Sequence, residues 1–174
     1  VLQAAQELFA SDGLSVPLDD IARRAGVGPG TVHRHFPTKE TLFAAIVIDR
    51  IERVVEDARA LANAADPCDA LLGMLSRMLD EGTASTALKA ALAGTDFDLR
   101  TAAPDIADDL RDALMTLLTR AQHAGSVRRD IDIDDVLALL AGAFATLRHA
   151  DAEAVPRRAA RLTAVLFDGL RAAH

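Results

Sequence analysis

Along the chain, apolar side chains recur at spacings of three and four, and runs alternating apolar with polar residues are absent. That periodicity predicts helices throughout and no strand. Leu2, Ala5, Leu8 and Phe9 share one face of a first helix over about 1–11, which Gly13 stops. A second helix, about 18–25, carries Asp19 and Asp20 in its first turn, where the helix dipole favours acids, and Gly26 closes it. A short third helix over about 29–36 ends at Pro37, because proline disfavours helical geometry at the residue before it. Thr38 is the expected N-cap of a long fourth helix to about residue 62. Leu42, Phe43, Ile46, Ile51 and Val54 lie on or near its apolar face, with Asp49 and Arg53 on the wet side.

Asp66 and Pro67 start a fifth helix, to about residue 79, and a weaker sixth covers about 86–93, while 95–103 reads as loop. Pro104 suits the first position of a seventh helix ending near Gly125. Asp132 caps an eighth to about residue 149, and a ninth spans about 156–172. No internal repeat or low-complexity linker interrupts the pattern, and one seam falls near the start of the fourth helix. The expected fold class is all-α, with about nine helices in two domains, 1–45 and 46–174.

Composition narrows the picture. At 174 residues the chain can bury a sizeable core, and with 51% apolar residues, 3% aromatic ones and no Trp or Tyr, that core must be Leu, Ala, Val and Ile with a few Phe. The apolar run from Val136 to Leu147 is too short to cross a bilayer and is interrupted by Gly142 and Thr146, so no membrane partner is expected. Cys68 is the lone cysteine, which suits a reducing compartment, and no secretory leader is visible, so a cytoplasmic location is expected. The chain opens at Val1, already inside a helical pattern, and some native residues are expected to precede it.

The formal net charge of −7 taken alone argues against a nucleic-acid partner. Its distribution weakens that argument. Residues 1–53 hold six Lys/Arg against seven Asp/Glu, a net of −1, whereas 54–174 hold 13 against 19, a net of −6. Between residues 21 and 39 stand Arg23, Arg24, Arg34 and Lys39 with no acid among them.

The same window contains "GVGPGTVHRHFPTKE", residues 26–40. Two short helices joined by a turn holding Gly26 and Gly28 are the signature of a helix-turn-helix, in which glycine permits positive φ and close helix approach. Val27 is placed to plug the seam between the helices. Gly28 and Pro29 begin the second helix, and Gly30 keeps its first turn free of bulk, so that Thr31, Arg34 and His35 reach outward toward DNA.

With "LQAAQELFASDG" and "LDDIARRAGVGPGTVHRHFPTKETLF" in order and at the right spacing, roughly the first 50 residues resemble the DNA-binding domain of the TetR family of transcriptional regulators. Two positions depart from its pattern: the family often has Ser where Gly28 stands and usually Tyr where His33 stands. The resemblance implies that Pro29, Gly30, Thr31 and Arg34 face the major groove of a double-stranded operator, while His33, His35 and Lys39 touch backbone phosphates. Arg34 is the candidate for bidentate contact with guanine.

Other chemistries fit poorly. His33 and His35 are two residues apart on a helix and point about 200° apart, so they do not chelate one metal ion. Asp132, Asp134 and Asp135 lack the glycine of a calcium loop and read as a cap with dipole-favoured acids. No nucleophile with a nearby base and no phosphate-cradling glycine loop is found, so neither an enzyme nor a cofactor is expected.

In the C-terminal region Met74, Met78 and Met115 are candidates to line an adaptable ligand pocket, or else fill the core. Leu118 and Phe144 join them as candidate lining, and Phe97 either covers a pocket mouth or anchors its own loop. The eighth helix, "DVLALLAGAFATL", is apolar nearly all round, and a second wide stripe follows near the end of the chain. Surplus apolar surface implies a partner. In the resembled family the last two helices form a four-helix dimer interface, which implies Val136, Leu140, Ala143 and Leu147 on one helix and Leu162, Leu166, Gly169 and Leu170 on the other. The resemblance further implies a homodimeric repressor on a palindromic operator, released by a small, largely apolar effector that shifts the fourth helix. The alternative is a bundle that serves only dimerisation or protein contact.

Overall fold

The computed structural model describes residues 1–12, 15–84, 98–148 and 153–172. Its helices are α1 (Leu2–Asp12), α2 (Leu18–Arg24), α3 (Pro29–His35), α4 (Lys39–Ala60), α5 (Pro67–Ala84), α6 (Leu99–Ala102), α7 (Pro104–His123), α8 (Ile133–Arg148) and α9 (Val155–Leu170), with a 3-10 turn at Leu61–Asn63. Among the described residues no strand forms, and one isolated backbone bridge joins Val127 to Arg171. The all-α fold class is the one the periodicity predicts.

Helix ends follow from local chemistry. Thr38 and Thr41 form a reciprocal cap: the Thr41 amide donates to Thr38 Oγ1 at 3.2 Å, and the Thr38 amide donates to Thr41 Oγ1 at 3.3 Å. Asp132 takes the amides of Asp134 and Asp135 at 2.8 and 3.1 Å while Asp135 takes that of Asp132, so these acids start α8. Asp134 also receives Arg111 of α7, which holds its carboxyl below the usual range.

Two expectations need correction. The fifth helix runs to Ala84 rather than about residue 79: Asp80 continues it on the exposed side, and Arg50 of α4 holds Glu81 through its backbone carbonyl at 2.5 Å and its carboxylate at 3.4 Å. The stretch 95–103, read as loop, contains α6, whose start Asp98 caps by accepting the Arg100 amide at 3.1 Å and the Thr101 hydroxyl at 2.7 Å. The sixth helix expected over 86–93 and the stop at Gly13 lie outside the described residues.

Two cores share α4. The first gathers Ala5, Phe9, Val16, Leu18, Ile21, Ala22 and Val32 around Leu42, Phe43 and Ile46, with Phe9 and Phe43 stacked at 4.6 Å between ring centres. The second begins at Val54, Val55 and Ala58 and is filled by α5, α7, α8 and α9. At 22 residues α4 is about 33 Å long, so one rigid rod carries the first core at its start and the second at its end. Ion pairs of Arg59 with Asp109 (2.6 Å) and Arg77 with Asp57 (2.5 Å) tie α4 to α7 and α5. Being exposed, they set register more than they add stability.

Candidate nucleic-acid interface

The turn after α2 is built by backbone hydrogen bonds. Gly26 N–H donates to the Arg23 carbonyl at 3.2 Å and Val27 N–H to the Ala22 carbonyl at 3.0 Å, which is the Schellman arrangement. It requires a left-handed residue, and Gly26 supplies it at φ +69°. Gly28, by contrast, is an extended N-cap at φ −64°, so only one of the two glycines is there for its conformational freedom. A Cβ added at Gly26 meets nothing within 4 Å, so space is not what the position rejects. Gly26→Ala is accordingly expected to cost about 1–2 kcal/mol of stability through backbone strain alone, measurable by urea denaturation; an unchanged midpoint would remove that role.

From this turn α3 leaves with Pro29 at its first position, and Val32 is the single buried residue on it. One apolar side chain therefore fastens the short helix to the first core. Gly28, Pro29, Gly30, Thr31, His33, Arg34 and His35 are all exposed, so the structure brings the expected contact residues of α3 onto open surface. Lys39, half-buried, starts the next helix.

The charge is arranged differently from the sequence window. Arg23 pairs with Asp20 at 2.8 Å, and Arg24 reaches back to Glu7 on α1 at 2.7 Å. Arg24 holds the Glu7 carboxyl below its ordinary value. His33 Nε2 lies 2.8 Å from Asp19 Oδ1, while the His35 ring sits tilted beside Phe36 at 6.4 Å. Acids from outside residues 21–39 thus neutralise part of the positive run. Arg34 makes no hydrogen bond or ion pair among the described residues, which leaves its guanidinium open to a base edge or phosphate. Between α1 and α2 a surface cleft of about 730 Å³, bordered by Asp12, Asp20, Arg23 and Arg24, mixes both signs.

Farther along, the candidate pocket residues divide. Met74 and Leu118 are buried in the second core, and Met78 and Phe144 are half-buried against it. Met115 is 42% exposed, which does not place it in the interior, because its position on α7 lies about 100° around the helix from buried Leu114 and about 160° from buried Leu117. Phe97 lies outside the described residues.

The residues expected at a dimer face also separate. Val136, Leu140, Ala143, Leu147, Leu166 and Leu170 are buried in the chain's own core and Leu162 packs against it. Gly169 is exposed. Of the large apolar side chains described on these helices, Leu139, 50% exposed, and Val165, 70% exposed, are open to solvent, as are the small Ala138, Ala141, Ala160 and Ala164. Adjacent positions on a helix differ by about 100°, so Leu139 beside buried Leu140 and Val165 beside buried Leu166 are what the helical phase requires.

Comparison with known proteins agrees with this architecture. Residues 1–46 match the family described as bacterial regulatory proteins, tetR family, and residues 66–172 match the C-terminal domain of SbtR-like transcriptional regulators. A TetR transcription regulatory protein from Mycobacterium vanbaalenii is 41% identical, the match covering 98% of this chain and 92% of that one with a TM-score of 0.69. The TetR transcriptional regulator SCO0520 of Streptomyces coelicolor is 34% identical over 99% of this chain and 97% of its own, with a TM-score of 0.70. The HTH-type transcriptional regulator UidR of Escherichia coli is 32% identical over 72 residues, and this chain spans about a third of its length, 34%.

Proposed function

We propose a function from the premise that this chain belongs to the TetR family of bacterial transcriptional regulators: it is a homodimeric repressor that grips a palindromic operator and is released by a small, largely apolar effector. DNA-binding transcription regulation is the family's work. The observation that carries the finer proposal is the exposed face of α3, whose single buried side chain is Val32 and which presents an Arg34 that has no acceptor within the described chain. Pro29, Gly30, Thr31 and Arg34 are assigned to the major groove, and His33, His35 and Lys39 to phosphates. We assign 1–45 to DNA binding and 46–174 to regulation and dimerisation, with a cytoplasmic site of action. No helix among the described residues is long and apolar enough to cross a membrane.

In the test, a selected operator is titrated at several salt concentrations. Specific affinity should fall steeply as salt rises, because neutralised phosphates release counterions. Arg34→Ala should cost roughly 1–3 kcal/mol and relax preference at one base pair, whereas Lys39→Ala should weaken all sequences similarly and shallow the salt slope. Equal losses on matched and mismatched sites for Arg34→Ala would remove its base-reading role.

The effector acts, on this proposal, by biasing α4. Thermodynamic linkage makes that reciprocal: a hundredfold loss of operator affinity corresponds to about 2.7 kcal/mol of coupling, and operator must weaken the effector equally. A bundle without an effector is favoured by the close packing of Met74 and Leu118, 1% and 3% exposed. A thermal-shift ligand screen followed by calorimetry with and without operator decides between the two.

A further inference from the structure

Arginine pairing divides the surface of this molecule. Among the described side chains, 12 of 16 arginines have an acceptor or ion-pair partner within the chain. The acceptor is an acid, as in the pairs of Arg59 with Asp109 and Arg128 with Asp130, or a carbonyl, as for Arg120 on Ala64 and Arg129 on Gln122. The exceptions are Arg34 on the recognition helix and the group Arg157, Arg158 and Arg161 in the first two turns of α9. In a chain of net charge −7, three neighbouring guanidiniums without one acid partner are out of keeping with the rest.

These three side chains are exposed and line one cleft of about 310 Å³, together with Ala154 and Glu153. Glu153 makes no ion pair with them among the described residues. The placement runs against local electrostatics twice over. Arg157 and Arg161 are four residues apart, so like charges share a helix face. They also stand at the positive end of a helix whose first turn contains no acid.

We propose that Arg157, Arg158 and Arg161 form a binding site for a phosphate group. A guanidinium offers planar, paired N–H donors that match phosphate oxygens and stays charged throughout the physiological range. Among the described residues that line the cleft, three of them against one Glu153 leave a net of two positive charges to meet a dianion. The cleft lies at the small end of ligand sites, which suits a phosphate ester or pyrophosphate. A phosphorylated small molecule and the DNA backbone both carry this group, and the experiment tells them apart.

The full chain is titrated calorimetrically with inorganic pyrophosphate, with sodium chloride holding ionic strength constant. Saturable binding at about 1 mM or tighter is expected. The triple variant Arg157→Gln, Arg158→Gln, Arg161→Gln, all at exposed positions, should bind at least roughly tenfold more weakly. Glu153→Gln should bind more tightly. In parallel, operator binding is followed against salt. An unchanged slope in the triple variant assigns the site to a small phosphorylated molecule, and a slope shallower by about one per lost contact assigns it to backbone phosphates. Pyrophosphate binding undiminished in the triple variant overturns the proposal. So does the absence of saturable binding together with an unchanged operator slope.

Discussion

Replacing Val32 with aspartate is expected to abolish specific operator binding while leaving the C-terminal bundle folded. The effect is large because α3 has seven residues, too few to persist without tertiary support, and Val32, 1% exposed, is its one buried side chain. A carboxylate at that point enters a core made of Ala5, Phe9, Ile21, Leu42 and Ile46, which offers no donor side chain. Burying an unpaired charge costs several kcal/mol, a large fraction of the roughly 5–15 kcal/mol that stabilises a typical domain. The recognition helix leaves its seat rather than pay this. The second core begins at Val54 and contains none of these residues, so its packing is not altered directly by the substitution. Val32→Ala is the graded companion, losing about 1–2 kcal/mol of burial and only part of the operator affinity. Fluorescence anisotropy on a selected operator, with circular dichroism and sedimentation on the same samples, reads all three quantities. Operator binding by Val32→Asp at parental strength would mean that α3 is held, or DNA is read, in some other way.

Two neighbouring substitutions on α9 should have opposite consequences. Leu166 is 8% exposed and packed in the second core, so Leu166→Asp is expected to unfold the bundle. Val165 is 70% exposed, and Val165→Asp should leave each chain folded with its thermal midpoint nearly unchanged. With the open side chains Leu139 and Val165 placed in the contact face of the proposed dimer, the double variant Leu139→Asp, Val165→Asp sets like charges against each other across the symmetry axis. Folded monomers then result, and operator affinity falls by roughly a hundredfold or more, since one recognition helix no longer tethers the other. Sedimentation separates splitting from unfolding. A double variant that remains dimeric and binds operator normally would exclude these two strips as the contact face.

How much of this was legible beforehand depends on the distance over which each feature is decided. The helices themselves, the Thr38 and Asp132 caps, the glycine turn after α2 and the helix-turn-helix are set by residues within about four positions of one another, where steric and hydrogen-bonding rules act directly on the sequence. The all-α class followed from them. The rotation of α8 did not: "DVLALLAGAFATL" is apolar on nearly every side, so its own residues do not say that Leu140 faces the core and Leu139 the solvent. The pairing of Arg24 with Glu7, 17 residues away, and of Arg59 with Asp109, 50 away, was equally hidden, and with it the contrast that leaves Arg34 and the α9 arginines unpaired among the described residues. Local chemistry determined which elements form and where they stop. Packing between distant elements decided which face of each is buried and which charges remain free, because those choices depend on neighbours that only the folded chain brings together.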